Sequence, residues 1–193
     1  MRSTFASTAL FAALVSCFSI PAAAEAATPR TAQAGGPTGT AAAAEPAPFA
    51  RVYLAIRGCT SCSHCRTTIR QMVNTKSAGG EARLSADQVE VRYPKPSPVP
   101  LKDVIRALAE SRLHDLSLVD VLFEGRGTIA PGPSGTATFR LAETGQAFPV
   151  TIDRAVRRPA DGTAVRLTAV VDGWRSKNKS SISLHARTID AVN

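Results

Sequence analysis

The chain has 193 residues, of which 44% are apolar and 20% charged. This excludes an intrinsically disordered protein and allows one domain of ordinary size or two small ones. No apolar run reaches the roughly 18 residues of a membrane-spanning helix, and aromatic residues are only 5%, so any core is aliphatic. The net charge of +8 is uneven, with +3 on residues 49–124 and +5 on residues 125–193. A basic surface of this kind suits solubility or an anionic partner.

The first 24 residues read as a secretory signal peptide. Arg2 gives a basic start, Phe5 to Ile20 is apolar, and Ala22-Ala23-Ala24 is a small-residue cleavage site. The expected location is the periplasm or the exterior of the cell. Leu14-Val15-Ser16-Cys17 also resembles a bacterial lipobox, which makes a lipid anchor at Cys17 the alternative. Residues 25–48 are almost entirely Ala, Pro, Gly and Thr and form a linker without core-building residues.

From residue 49 the pattern changes. Val52, Leu54 and Ile56 alternate with polar or small residues, which predicts a strand ending at Gly58. Cys65, Ile69, Met72 and Val73 make one helical stripe, ending before Gly79-Gly80. A weak strand around residues 82–84 and a better one through Val89, Val91 and Tyr93 follow. Leu101, Val104, Ile105 and Leu108 predict a second helix, opened by Pro100. A strand through residues 116–123 completes the order β-α-β-β-α-β. The expected fold class is therefore α+β, with a ferredoxin-like βαββαβ domain over residues 49–124. Beyond Gly125, short alternating segments and the turn signals Thr144-Gly145, Asp161-Gly162 and Asp172-Gly173 predict a small all-β domain over residues 125–193. Its expected form is barrel-like, an oligonucleotide-binding (OB) barrel being one version.

Chemistry concentrates in Cys59-Thr60-Ser61-Cys62-Ser63-His64-Cys65. The turn joins the first strand to the first helix, where unsatisfied amides and the helix dipole favour thiolate. Thiolates select soft ions. Two sulfurs suffice for Cu(I) or Hg(II), a third allows trigonal coordination, and Zn(II) is the harder option. A disulfide between two of the three cysteines is the competing reading in an oxidising compartment. An iron–sulfur cluster lacks its fourth ligand. His64 reads as exposed, and His114 and His185 as ordinary surface residues.

The stretch from Arg51 through Cys62, Cys65 and Ile69 resembles the opening of a heavy-metal-associated domain, the family of copper chaperones, metal-pump modules and the periplasmic mercury-binding protein. Cys62 and Cys65 match the family's Cys-x-x-Cys, and Ile69 its apolar position. Residues 89–94 and 101–113 resemble its third strand and second helix. The resemblance covers about residues 50–124. It departs from the family at Cys59, where a Met is usual, and in one extra residue before the pair. It implies a soft-metal carrier, chaperone or sequestering protein, holding metal through Cys62 and Cys65 with help from Cys59. The metal would pass to a membrane metal transporter or another metal-binding protein. The alternative is a non-catalytic interaction or scaffold module whose Cys-x-x-Cys is a disulfide. No catalytic constellation is recognisable, so an enzyme is not expected. The basic half, with Arg154, Arg157, Arg158, Trp174, Arg175, Lys177 and Lys179, could meet an anionic surface; with a single Trp, nucleic acid is not expected.

Cleavage at the small-residue site has a direct test. N-terminal sequencing of the exported protein should begin at residue 25 or 27, while a diacylated Cys17 would establish the lipid anchor instead.

Overall fold

The structure is a computed structural model that describes residues 47–58, 60–113, 115–132, 136–176 and 181–192. The expected signal peptide and the linker up to residue 46 lie outside the described residues, as do Cys17, Cys59, His114, Lys177 and Lys179. Among the described residues no helix is long and apolar enough to cross a membrane.

Ten elements follow one another: β1 (Ala50–Arg57), α1 (Ser63–Lys76), β2 (Glu81–Leu84), β3 (Gln88–Tyr93), α2 (Leu101–Ala109), β4 (Ser117–Pro131), β5 (Ala137–Leu141), β6 (Ala147–Thr151), β7 (Ala164–Asp172) and β8 (Ser183–Ala191). All eight strands belong to one sheet in the order β2-β3-β1-β4-β5-β6-β8-β7, and β4 also pairs with β7. That last pairing closes β4, β5, β6, β8 and β7 into a ring.

The alternation read in β1 and β3 buries Val52, Leu54, Ile56, Val89, Val91 and Tyr93. They face α1, which contributes Ile69 and Val73, and α2, which contributes Leu101, Val104, Ile105 and Leu108. The two helices pack on one another, α1 also against β2 and α2 against β4. Helix α1 ends where Ala78 and Gly79 take positive φ. Asn74 then accepts the Ala82 amide at 2.8 Å, and the buried Ser77 hydroxyl donates to the Gly80 carbonyl at 2.6 Å, so the chain turns directly into β2.

The expected fold class is overturned. Among the described residues strands make up 45% and helices 17%, and five strands form a closed barrel. The β-α-β-β-α-β order does occur, but its last strand is shared with the barrel, so it does not make a ferredoxin-like domain. The strand expected to end at Phe123 runs on to Pro131. It pairs with β1 through residues 117–125, with β7 through 122–128 and with β5 through 127–131. Residues 127–130, beyond the expected boundary, are its continuation.

The reason lies in Gly125, which read as a boundary, and in Gly127 just beyond it. A Cβ on Gly125 would sit 2.7 Å from the Phe123 ring. On Gly127 it would sit 2.1 Å from the Arg140 carbonyl and 2.8 Å from the Phe139 ring. Here glycine marks close approach within a strand, not a turn. The space is taken by Phe123, which meets Phe139 edge-on at 6.0 Å and Phe148 at 5.5 Å between ring centroids. Burying such a side chain contributes roughly 1.5–3 kcal/mol.

Other contacts bind the helical part to the barrel. Gln146, in the β5–β6 turn, accepts from the Val99 amide at 2.7 Å and donates to the Val99 carbonyl at 3.0 Å. Trp174 packs against the core beside α2, with the Arg175 guanidinium 4.4 Å over its ring, and Arg175 donates to the Val119 carbonyl. One continuous apolar cluster therefore runs from α1 to β8.

Replacing Gly127 with Ala should force β4 and β5 apart. The expected cost is about 1–3 kcal/mol, as for other overpacked sites. Urea unfolding of the full chain measures it; an unchanged midpoint would show that the close approach carries no weight.

Candidate metal-binding turn

The turn after β1 is fastened on three sides. Gly58 has φ +122°, and a Cβ there would lie 1.8 Å from the Asp115 carbonyl oxygen, so this position excludes every side chain. Opposite Ala55 and Ile56 the register shifts past Val119 of β4, a bulge that re-aims the paired strand ends. The Ile56 amide donates to the Asp87 backbone carbonyl at 2.8 Å, and the Thr60 hydroxyl donates to the Ala86 carbonyl. Arg66 spans the gap: its guanidinium donates to the Leu84 carbonyl at 2.9 Å and to the Thr60 carbonyl at 3.4 Å. The cysteine turn is thus tied to the β2–β3 turn and lies against residues 115–116.

Cys62 is the N-cap of α1, with extended backbone (φ −79°, ψ 144°). Its sulfur accepts the Cys65 amide at 3.2 Å, and its carbonyl accepts the Arg66 amide at 3.1 Å. Sulfur here does what a Ser, Thr or Asp oxygen usually does at this position. An amide hydrogen bond and a helix N-terminus both favour negative charge on that sulfur. The first turn of α1 holds no acidic residue to oppose it. Cys62 is exposed, and Cys65, one helical turn on, is half-buried.

Cys62 and Cys65 therefore share one helix start. Cys59 lies outside the described residues. Among the described residues no group of three or more His, Cys, Asp or Glu side chains could hold a metal ion. Two cysteines at a helix start suit a soft ion that accepts two sulfurs. His64 is exposed, and its backbone carbonyl accepts the Thr68 hydroxyl. Compared with known proteins, the chain matches no family model, no curated protein and no solved structure.

Sequence reasoning missed two features. The first is Arg66, whose guanidinium donates to two backbone carbonyls. The second is His185, read as an ordinary surface residue. Its Nε2 lies 2.9 Å from Asp153 and its Nδ1 3.5 Å from Asp172. These three residues sit just after β6, within β8 and at the end of β7, and no sequence spacing joins them. A recess of about 650 Å³ between α1 and α2, lined by Met72, Asp103, Arg106 and Glu110 among others, includes neither cysteine and no converging nucleophile and base.

The Asp153 hydrogen bond, more than the opposing desolvation, holds the His185 pKa above its ordinary 6.5, and Asp172 adds to the effect while Arg187 opposes it. A raised folded pKa means that the charged imidazole stabilises the native state. The contribution is complete below the unfolded value and is lost as pH rises through the folded one. The stability gap between the protein and its His185→Gln variant should thus be largest near about pH 5.5 and close above about pH 8. Denaturant titrations at the two pH values measure it; a gap independent of pH would remove the charged His185 from the account.

Proposed function

We propose that this protein is an exported soft-metal-binding protein, a carrier or sequestering protein that holds Cu(I) or Hg(II) as cargo through Cys62 and Cys65. Cys59 assists when a third sulfur is needed, and Zn(II) is a weaker competitor. The reading rests on one observation above all: the Cys62 sulfur caps α1 and accepts the Cys65 amide at 3.2 Å. The charge that metal binding requires is thus favoured before any metal arrives. Soft-ligand chemistry supplies the choice of ion, and the resemblance of residues 50–124 to the heavy-metal-associated family supplies the role.

Exposure of Cys62 suits hand-over. An incoming thiolate from an acceptor adds to the ion as one protein thiolate leaves, so the ion never loses its sulfur ligands and charge is conserved. The acceptor in this reading is a membrane metal transporter or another metal-binding protein. The place of action is the periplasm or the cell exterior, with anchoring through Cys17 as the alternative form.

Serine caps helices well, so Cys62→Ser removes the sulfur while keeping α1 intact. Cys62→Ser and Cys65→Ser should each weaken Cu(I) binding by more than the roughly tenfold to hundredfold that losing an outer partner costs. Cys59→Ser should weaken it less. Competition titration of the reduced protein, followed by mass spectrometry under non-denaturing conditions, reads both affinity and stoichiometry. Unchanged binding in the Cys62/Cys65 double variant would refute the proposal.

A further inference from the structure

The β6–β7 connection builds a second, unrelated feature. After β6 the chain turns at Asp153, whose carbonyl accepts the Val156 amide at 3.0 Å, and runs back past the start of β5. This encloses a cleft of about 540 Å³ lined by Arg154, Arg157, Arg158, Thr151 and Thr136. Its volume is that of a small-molecule site.

The charges in the cleft are unbalanced. Asp153 is the acid on its lining, and it is engaged by His185 at 2.9 Å. Arg158 pairs with Asp161 at 3.0 Å through one terminal nitrogen. Arg154 and Arg157 meet no acidic partner among the described residues. Three exposed arginines therefore line one recess, and its own carboxylate is hydrogen-bonded to His185. Guanidinium groups bind oxyanions through paired donors, each more strongly than a neutral donor would. One carboxylate would balance a single arginine. A phosphate or diphosphate group, with two or more charges and several acceptor oxygens, fits the three.

We propose that this cleft binds the phosphate or diphosphate group of a small soluble ligand. The site is independent of the cysteine turn, and its occupancy does not require metal.

The test is isothermal titration of the full chain with inorganic pyrophosphate at constant ionic strength. The protein should bind one equivalent saturably. The Arg154→Ala/Arg157→Ala variant should bind at least about tenfold more weakly, as expected when charge-assisted hydrogen bonds are lost. The Arg70→Ala/Arg112→Ala variant, which loses the same charge from exposed positions on and just beyond the helices, should bind as the parent does. Thermal unfolding of both variants confirms that they fold. Absence of saturable binding, or equal weakening in the two variants, would overturn the proposal. Binding to vesicles containing phosphatidic acid without binding to pyrophosphate would also overturn it, since the surface would then read a lipid headgroup.

Discussion

The close contact between the backbone at Gly127 and the Arg140 carbonyl is the constraint on which the rest of the molecule depends. Any side chain at Gly127 would meet that carbonyl at 2.1 Å. With hydrogen there, β5 can lie against the far end of β4 while β7 lies along its other edge. Only then can β4 leave β1 and enter the barrel without a break. Phe123 fills the space that Gly125 leaves open and joins the aromatic contacts to Phe139 and Phe148. Size at one position and its absence at two others are thus a single packing solution.

That solution reaches the cysteine turn through β1. Because β1 is hydrogen-bonded to β3 on one side and β4 on the other, its end is fixed in position. Gly58 then brings the chain against the Asp115 carbonyl, and Arg66 and Thr60 draw the turn onto the β2–β3 connection. The helix start that carries Cys62 and Cys65 is therefore held by contacts to backbone carbonyls of the neighbouring turns.

The local elements were largely legible because each carries its own period. The alternation at Val52, Leu54 and Ile56, the helical stripe at Ile69 and Val73, and the apolar face at Leu101, Val104, Ile105 and Leu108 all match buried positions. The predicted turns at Gly145, Gly162 and Gly173 have positive φ, as such turns require. That one unbroken strand joins them was not legible. Gly125 and Gly127 carry the same letters whether they end a strand or admit a neighbour, and only the ring of Phe139 and the Arg140 carbonyl decide between the two. The same limit hid His185: residues 153, 172 and 185 meet only because β6, β7 and β8 pair in a particular register. At the cysteine turn the Cys-x-x-Cys spacing and its place before a helix were readable. The role of Arg66 was not, because its acceptors are backbone carbonyls, one of them on β2, and backbone acceptors have no sequence signature.

The central claim is that thiolates at the start of α1 hold a soft metal. X-ray absorption spectroscopy of the reduced full chain loaded with one equivalent of Cu(I) tests it most directly. The account predicts a metal surrounded by two or three sulfur atoms, with a sulfur lost in Cys62→Ser. Coordination dominated by nitrogen or oxygen, or a spectrum unchanged by that substitution, would contradict it.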